Sequence, residues 1–580
     1  MSSNATTGKI AAMTDADAAI ASVTFDHDDG GVVVIIGSGA GGGTLSNELA
    51  QRGIDVVILE AGQRRQLAEF VNDEYAAWDM LTWKDKRTCS GTAPFTKDFP
   101  EAPTWICKTV GGSTVHWVGN SFRFMEREFR PRSTYGEIAG ANLIDWPISL
   151  DDMLPYYERA EAKMGVTGRG DIPFLPPSNN FKVFELGAKR LGYQRITTSH
   201  LAINSQPYDG RNACDEIGFC MQGCKSGAKW STLYTEIPRA EATGRCEVRA
   251  ECMALEIQHD DAGKITGVLY VDRLGHQHVQ KARVVCVAGN APETTRILLN
   301  SESLRYLDGL ANSSGQLGAN FVRSVMGLVY GVFDKPVHMY RGAVGGGLIE
   351  DLSGHDPDNR GFAGGIWLGL CALGLPYLAA ILKPKAWGAE YARDLEAYDH
   401  MASLWFCGDD LPQERCAISV NKDVKDENGL PATHIHIDLH QNEIAMENWG
   451  FVKSAELFEA AGATKVLEEP PIACGHNLGT CRMSAITRPR ASSINGARAT
   501  ISTTCSCPMA ASSPPTTPAT RRLPSSRSRS AKPSISPSRC ARTSSEVGGA
   551  RSQQRANTHG HARNRRELTA AGLSWTVRRG

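Results

Sequence analysis

The sequence has little of what marks secreted, membrane-spanning or fibrous proteins. Its 16 cysteines are too few and too irregularly spaced, in a chain of 580 residues, for a disulfide framework. The most apolar stretch, Ile366 to Leu382, is interrupted by Pro376 and is shorter than the roughly 20 residues that a membrane helix needs. The first residues lack the charged and apolar order of a secretory signal. We therefore expect a reducing, cytoplasmic compartment, and we interpret the apolar stretch as a buried helix.

The last part of the chain is nearly free of acidic side chains. Ala485 to Gly580 contains 17 Lys and Arg, two Asp and Glu, and no Phe or Tyr. Residues 1–484 contain 45 Lys and Arg and 61 Asp and Glu. The overall charge of -1 is therefore the sum of an acidic main part and a basic last part. The 41% hydrophobic content is enough to bury a sizeable core, which excludes a wholly disordered or collagen-like protein.

A strand, a helix and a second strand follow a polar leader. Residues 1–30 are rich in Ala, Ser, Thr and Asp and lack periodicity, which predicts a mobile leader. Short β-branched runs at Val32 to Ile36 and Asp55 to Leu59 flank a helical segment that ends at Gly53. This spacing is typical of a βαβ unit in a parallel sheet. Further strands are predicted over Cys246 to Ile257, Ile265 to Val271 and Arg283 to Val287, with a helix over Glu293 to Leu299.

A glycine-rich turn joins the first strand to the helix. In GSGAGG, Gly37 permits a tight turn, Gly39 lets a pyrophosphate approach the backbone, and Gly42 lets helix and strand pack closely, with Gly41 between them. The helix N-terminus adds amide donors and partial positive charge. Glu60, at the end of the second strand, can accept hydrogen bonds from ribose hydroxyls. The motif predicts a dinucleotide site but does not distinguish FAD from NAD.

A second glycine turn follows at Gly111, Gly112 and Ser113. His116 and Asn120 come soon after it. One interpretation is a second contact with a phosphate or a flavin ring. The other is an ordinary turn, for which these residue types are also typical.

Four segments together resemble the glucose-methanol-choline (GMC) oxidoreductase family of FAD enzymes. They occur in the family's order within residues 31–483 and read VVVIIGSGAGGGTLSNELAQRGIDVVILEAG, KTVGGSTVHWVGNSFR, VVCVAGNAPETTRILLNS and HNLGTCRM. The resemblance implies FAD as cofactor, with its isoalloxazine near the second glycine turn. Val248, in a predicted strand, is included among the cofactor contacts.

The resemblance implies a fold as well as a cofactor. We expect an FAD-binding doubly wound, Rossmann-like α/β domain with an inserted α+β substrate domain. The predicted parts are a mobile leader (1–30), the FAD-binding domain (31–330, with a cysteine segment at 205–230), the substrate-binding domain (331–469), a return to the FAD domain (470–484) and a basic tail (485–580).

His476 is the predicted catalytic base. Its segment HNLGT resembles the family's HxxGT, whose histidine faces the flavin and the substrate alcohol. An alcohol C–H becomes a good hydride donor only as the hydroxyl proton leaves, and an imidazole that titrates near neutral pH is suited to accept that proton. His116 is a lesser candidate for a contact with substrate or flavin.

Cys214, Cys220 and Cys224 form the densest cysteine cluster of the chain. Thiolates at this spacing can converge on one metal, but zinc would want a fourth Cys or His, and none lies between Arg211 and Trp230. The segment resembles that of bacterial FAD-dependent glucose and gluconate dehydrogenase catalytic subunits, in which a 3Fe-4S cluster takes electrons from the flavin. The resemblance implies such a cluster here, and free structural thiols are the alternative.

The family pattern stops after Met483. One interpretation is a disordered basic tail that binds RNA or acidic lipid. The other, which we favour, is a frameshift near Ser484 to Ile486. Moving the reading frame by one base permits Thr-Ser-Val-Val-Asp, Pro-Asp-Gly and Asn-Pro-Thr-Leu-Thr, in the family's order, from the codons of residues 489–494, 507–510 and 519–524. The lost stretch would include the Asp-Gly that borders the flavin and the Asn or His partner of His476.

Together these features predict an FAD-dependent oxidoreductase that oxidises a CH–OH group of an alcohol, sugar or sugar acid and passes electrons to a cytochrome or quinone. A dioxygen-using oxidase is one alternative, and a catalytically impaired flavoprotein with a cationic RNA- or lipid-binding tail is another. The resemblance also implies a small chaperone-like subunit and a haem subunit, and with them a periplasmic face of the inner membrane as a second location. With the tail interpreted as a frameshift, no nucleic-acid partner is expected.

Overall fold

The computed structural model describes residues 23–98, 104–382, 386–469 and 475–483, and two short strands between residues 493 and 498. Residues 1–22 of the predicted leader, and the predicted tail and frameshift apart from those two strands, lie outside the described residues. The backbone N–H of Phe25 donates to Glu247, and Arg249 donates to the Phe25 carbonyl. This end of the predicted leader is therefore hydrogen-bonded to the segment of Glu247 and Arg249, and the boundary at residue 30 stays a prediction.

The described strands are β1 (Val33–Ile36), β2 (Val56–Leu59), β3 (Arg87–Gly91), β4 (Ile196–Thr197), β5 (Cys246–Arg249), β6 (Met253–His259), β7 (Ile265–Val271), β8 (Gln277–Lys281), β9 (Val284–Val287), β10 (Ser324–Val332), β11 (Leu348–Ile349), β12 (Ile366–Gly369), β13 (Met401–Asp409), β14 (Ala417–Lys425), β15 (Pro431–Ile437), β16 (Lys465–Glu468), β17 (Ser493–Ile494) and β18 (Ala497–Arg498). The described helices are α1 (Ala40–Ala50), α2 (Glu74–Leu81), α3 (Phe95–Asp98), α4 (Glu126–Phe129), α5 (Pro131–Tyr135), α6 (Leu150–Met164), α7 (Asn179–Arg190), α8 (Glu236–Glu241), α9 (Asn290–Asn300), α10 (Pro357–Arg360), α11 (Leu375–Ile381), α12 (Ala389–Glu396) and α13 (Gln441–Ala461).

The β-branched runs form the centre of a four-stranded parallel sheet. Its order is β5-β2-β1-β9, and Val33 pairs with both Val56 and Val284. Every residue of β1 and β2 is buried, because apolar side chains alternate between two clusters on opposite faces of the sheet. This arrangement confirms the doubly wound α/β fold predicted from the sequence.

The segment predicted as one strand from Cys246 to Ile257 is instead two strands in different sheets. The chain turns at Glu251, which has a left-handed backbone with φ of 55°. The N–H of Glu251 donates to the Gly62 carbonyl, and the next N–H donates to the carbonyl of Glu60. These bonds end β5 and direct β6 into a separate antiparallel sheet, β6-β7-β8.

A six-stranded antiparallel sheet forms the second large layer, in the order β16-β10-β13-β12-β11-β4. Strands β10 and β13 pair along their whole length, from Ser324 opposite Asp409 to the pair at Val332. On one face, α13 packs closely because Gly331 leaves room for the ring of Phe458. The other face turns the side chains of Met326, Leu328 and Trp405 toward the cavity described below.

The apolar stretch from Ile366 to Leu382 contains strand β12 and helix α11. The strand is buried in the six-stranded sheet, and α11 contributes to the cavity wall. None of the helices in the described part of the chain combines the length and apolarity that a membrane crossing requires.

Candidate functional site

The first glycine turn adopts a backbone that only glycine accepts. Gly37 has φ of 97°, and a Cβ added there would lie 2.6 Å from the carbonyl oxygen of Ala288. A Cβ on Gly42 would lie 2.0 Å from the Gly37 carbonyl oxygen. Helix α1 begins directly after Gly39, and its first turn contains no acidic residue. The exposed amides of that turn are therefore available to an anion.

Ser38 links the two glycine turns to the carboxylate of Glu60, a role that the sequence pattern did not reveal. Its N–H and hydroxyl both donate to the Glu60 carboxylate, at 3.0 and 2.6 Å, and its Oγ accepts from the N–H of Gly111 at 3.0 Å. The other Glu60 oxygen accepts from the N–H of Gly62 at 2.9 Å. Burial raises the pKa of Glu60, while these donors lower it.

One cavity of about 820 Å³ runs from the glycine turns to His476. The predicted site residues that line it are Gly37, Gly39, Glu60, Gly112, Ser113 and His476. Gly41, Gly42, Gly111 and Val248 are not among the described residues lining it. Val248 lies in β5 opposite Ile58, and its side chain packs against two apolar clusters; its contact with the cofactor stays a prediction.

The lining of this cavity fits a dinucleotide. Gly112 approaches Gly39 so closely that a Cβ on Gly112 would lie 2.9 Å from the Gly39 Cα, which leaves backbone rather than side chains at this point. Several buried donors of the lining have no partner among the described residues. They are Trp83 Nε1, Trp230 Nε1 and Asn300 Nδ2. The carbonyl, ribose and phosphate oxygens of FAD are acceptors of the kind that such donors need.

His476 is oriented from behind by Ser324. The Ser324 hydroxyl lies 2.9 Å from Nδ1 of His476, at the start of β10. Burial raises the pKa of the Asp410 carboxyl group, while the charges of Arg323 and His476 lower it. The imidazole is thus held at Nδ1 by a side chain of the six-stranded sheet, within the lining of the cavity.

His116 lies in the same cavity, half-buried beside Trp105, with ring centroids 4.5 Å apart. Burial, together with the nearby charges of Lys229 and His476, lowers the pKa of His116 to about 3. Its Nδ1 has no hydrogen-bond partner among the described residues. His116 is therefore a neutral group that can contact a ligand, while His476 is better placed to act as a base.

The three cysteines lie in one segment without converging on a metal. No three His, Cys, Asp or Glu side chains of the described residues are arranged to hold a metal ion. The Cys214 sulfur accepts from the N–H of Glu216, and the Cys224 sulfur accepts from the N–H of Lys229. Burial raises the pKa of the Cys214 thiol to about 12, and the pKa of Cys220 is raised for the same reason. As they stand, these side chains do not fit an assembled cluster.

Lys229 connects the cysteine segment to the second glycine turn. Its ammonium is buried and donates to the carbonyl oxygens of Val115, Trp117 and Cys220, at 2.8, 2.6 and 2.5 Å. Burial lowers the pKa of Lys229 to about 8. The sequence reveals a lysine here but not that it bridges two functional segments.

The comparisons with known proteins point to one family. A model described as GMC oxidoreductase matches residues 90–323. The chain is 30% identical over 480 residues to 2-methyl-1,2-propanediol dehydrogenase of Mycolicibacterium austroafricanum, covering 78% of this chain and 85% of that protein. It is 30% identical over 323 residues to the fructose dehydrogenase large subunit of Gluconobacter japonicus, covering 50% of this chain and 58% of the relative.

A more distant relative and a solved structure extend the comparison. The chain is 23% identical over 495 residues to the gluconate 2-dehydrogenase flavoprotein of Pantoea cypripedii, covering 75% of this chain and 80% of the relative. The crystal structure of pyridoxine 4-oxidase from Mesorbium loti superposes with a TM-score of 0.51 and 18% identity, over 79% of this chain and 90% of that one. The structural likeness supports the fold alone.

Proposed function

Because this chain belongs to the GMC oxidoreductase family, we propose that it oxidises a CH–OH group of an alcohol or sugar with FAD as cofactor and His476 as base. The observation that carries the proposal is the continuous cavity from Gly39 and Glu60 to His476. It brings a dinucleotide-binding turn and a histidine to one space. FAD, when bound, supplies the acceptor for the hydride that leaves the substrate carbon.

The chain's own residues perform the proton chemistry. His476 accepts the hydroxyl proton on its imidazole, whose orientation the contact between Nδ1 and Ser324 helps to set. The apolar side chains of Met326, Leu328 and Trp405 on the sheet limit access of water to the reacting carbon.

The test is anaerobic reduction of the flavin in the purified full chain reconstituted with FAD. We expect alcohols or sugars to bleach the visible flavin absorbance, and His476→Ala to slow this by about 10²–10⁴-fold while FAD stays bound. His276→Ala, at an exposed position of the β7–β8 turn, is the matched control. A frame-restored coding sequence is assayed in parallel. If neither form is reduced by any donor, or if His476→Ala is as fast as the parent, the proposal is wrong.

The electron acceptor separates two versions of this proposal. A dehydrogenase would pass electrons to a cytochrome or quinone, and an oxidase would use dioxygen. A 3Fe-4S cluster at Cys214, Cys220 and Cys224 would support the dehydrogenase, although the thiols do not converge here. Iron and acid-labile sulfide assays on the purified protein decide whether a cluster forms. Peroxide production under air would favour the oxidase.

Partners and location follow from the dehydrogenase version. We propose that such an enzyme associates with a small chaperone-like subunit and a haem subunit, at the periplasmic face of the inner membrane; otherwise a cytoplasmic location is expected. Co-purification from the native cell tests this. A catalytically impaired flavoprotein with a cationic RNA- or lipid-binding tail is the remaining alternative, and salt-dependent RNA binding by residues 485–580 would favour it.

A further inference from the structure

Two histidines share the outer face of a three-stranded sheet with order β14-β15-β3. Strands β15 and β3 are parallel, and their register places His434 beside Thr88 and His436 beside Ser90. The isoleucines that alternate with these histidines along β15 are buried in an apolar cluster on the other face. Because side chains alternate across a strand, the two imidazoles and the two hydroxyls lie together on the outer face.

These side chains are joined in one hydrogen-bonded chain. The Thr88 hydroxyl oxygen lies 2.8 Å from Nδ1 of His434, and Nε2 of His434 lies 3.0 Å from Oγ of Ser90. The same Ser90 oxygen lies 2.8 Å from Nδ1 of His436, whose Nε2 lies 3.3 Å from the carboxylate of Asp438. We call Thr88, His434, Ser90, His436 and Asp438 the polar chain. None of its members is among the described residues that line the cavity of the candidate functional site.

The carboxylate sets the direction of every hydrogen bond in the polar chain. An ionised carboxylate only accepts, so Nε2 of a neutral His436 carries the proton and its Nδ1 accepts from the hydroxyl of Ser90. The Ser90 oxygen then accepts from Nε2–H of His434, whose Nδ1 accepts from Thr88. Partial burial and the charge of His436 lower the pKa of His434, which favours its neutral form. The proton of the Ser90 hydroxyl is therefore directed at His436.

Asp438 is held as an oriented carboxylate. The N–H of Thr92 donates to its Oδ1 at 3.0 Å, and Nε of Arg415 lies 3.2 Å from its Oδ2. Partial burial raises the pKa of the Asp438 carboxyl group, but hydrogen bonds from His436 and Thr92 bring it below its usual value. A carboxylate fixed in this way orients the imidazole and stabilises its protonated form.

A hydroxyl, an imidazole and a carboxylate thus stand in the order that activates a serine nucleophile. Activation needs a base within hydrogen-bond reach of the hydroxyl and a third group that orients the base, and the contacts of His436 with Ser90 and Asp438 meet both needs. Ser90 is partly exposed on the edge strand β3, and the His436 side chain is 35% exposed, so a small ligand can reach the hydroxyl. Polar outer faces are common on sheets, but they do not require two imidazoles to converge on one hydroxyl.

We propose that Ser90 is the nucleophile of a second catalytic site, activated by His436 and Asp438, which takes small carboxylic esters. The Ser90 oxygen bonds to the ester carbonyl carbon, and the bond from that carbon to the alcohol oxygen breaks. The hydroxyl proton passes to Nδ1 of His436 and then to the departing alcohol, which leaves the acyl group on Ser90. Water then bonds to the acyl carbon as the bond to Ser90 breaks, and one water proton returns through His436 to the Ser90 oxygen. The products are a carboxylic acid and the free serine.

The test is covalent labelling of the full chain, reconstituted with FAD, by a fluorophosphonate at pH 8. This reagent forms a phosphorus–oxygen bond with an activated serine and releases fluoride, and peptide mass spectrometry locates the label. We expect Ser90 to react at least about 100-fold faster than Ser419, which lies opposite His434 on the same face and is not part of the polar chain. With p-nitrophenyl acetate, we expect a burst of about one p-nitrophenol per chain and an acetyl group on Ser90.

Variants separate activation of Ser90 from general surface reactivity. Ser90→Ala should abolish both modifications, and His436→Gln should slow labelling of Ser90 at least about 100-fold. Asp438→Asn should slow it as strongly, because the amide favours the wrong protonated ring nitrogen, whereas Asp438→Glu should restore part of the rate. Ser419→Ala is the matched control and should leave labelling of Ser90 unchanged.

The outcomes also distinguish this inference from the proposed function, since no member of the polar chain lines the cavity. Labelling of Ser90 no faster than that of Ser419, equal labelling in Asp438→Asn and the parent, or ester hydrolysis unchanged in Ser90→Ala would overturn the inference. Flavin reduction by alcohols in Ser90→Ala should match the parent, which shows that the fold is intact. Activated labelling of Ser90 in a chain whose flavin no donor reduces would refute the proposed function alone.

Discussion

The two ends of the cavity are built from different parts of the polypeptide. The cofactor end is made of backbone: Gly37, Gly39 and Gly112 bring amides and bare Cα atoms to the surface. The substrate end is made of side chains on the six-stranded sheet, α2 and α11, which meet across long sequence separations. A backbone surface constrains residue type at each position, whereas a side-chain wall can be built from many residue combinations. The cofactor end should therefore be the less tolerant of substitution.

The largest effect is expected from adding one methyl group at the cofactor end. Gly37→Ala forces a side chain into a left-handed backbone and against the Ala288 carbonyl, and should cost about 3 kcal/mol of the free energy of unfolding and abolish FAD binding. Gly53→Ala is the matched control, since its φ is 79° but no atom lies within 4 Å of the added Cβ. Urea unfolding and bound-flavin content measure both variants. Equal losses in the two would show that contact with Ala288 is unimportant.

The contrast also explains what could be predicted from the sequence. The turn at Gly37, the strands β1 and β2 and the family were predicted because glycine and β-branched residues mark backbone geometry directly, and the family is confirmed. Ser38 was missed because its bonds to Glu60 and Gly111 depend on the tertiary fold.

The substrate end was not predicted for the same reason. Trp78, Trp105 and Tyr377, which line this end of the cavity, come from separate parts of the chain. The stretch from Ile366 to Leu382, predicted as one helix, contains both β12 and α11. The strand predicted from Cys246 was divided by hydrogen bonds to the carbonyls of residues 60 and 62. Periodicity records which side chains are apolar, but not which distant backbone will compete for an N–H.

Lys229 joins the cysteine segment to the chain that follows the second glycine turn, and removing its charge tests how much this link stabilises the fold. Lys229→Met leaves three buried carbonyls without their donor and should cost about 2 kcal/mol of the free energy of unfolding. Lys281→Met, on an exposed ion pair with Asp28, should change it by less than about 0.5 kcal/mol. Thermal unfolding with and without FAD measures both.

The lowered pKa of Lys229 predicts how the free energy of unfolding changes with pH. Because burial lowers its pKa from 10.5 to about 8, the unfolded chain binds more protons than the folded one between these values. The stability of the parent should therefore include a contribution that rises from about pH 8 to about pH 10.5. The contribution should be missing in Lys229→Met. Parallel stability curves for the two proteins over this range would contradict the assignment.

A smaller effect is expected behind the base. Ser324→Ala removes the hydrogen bond to Nδ1 of His476. Because a hydrogen bond that orients the imidazole contributes about 1 kcal/mol, its loss should slow flavin reduction about fivefold without affecting FAD content. The chain offers a close control in Ser303, whose hydroxyl lies 2.9 Å from Nε2 of His259, a pair whose residues do not line the cavity. Ser303→Ala should leave the rate unchanged. Equal rates in the parent and Ser324→Ala would show that other contacts orient the imidazole.

The smallest effect should appear at Glu74, which links α2 to the start of α11 by accepting from the N–H groups of Gly374 and Tyr377. Glu74→Gln keeps one acceptor for the two N–H groups of Gly374 and Tyr377 and turns an amide donor toward the other, which loosens α11 without touching His476. KM for the alcohol or sugar donor should rise about threefold, because Tyr377 of α11 lines the cavity, while kcat stays unchanged. Binding of the donor would be weakened, but not the chemical step. Glu69→Gln, at an exposed carboxylate, is the control. A fall in kcat with constant KM would instead place Glu74 in the chemistry, and the division between a rigid cofactor end and an adjustable substrate end would no longer hold.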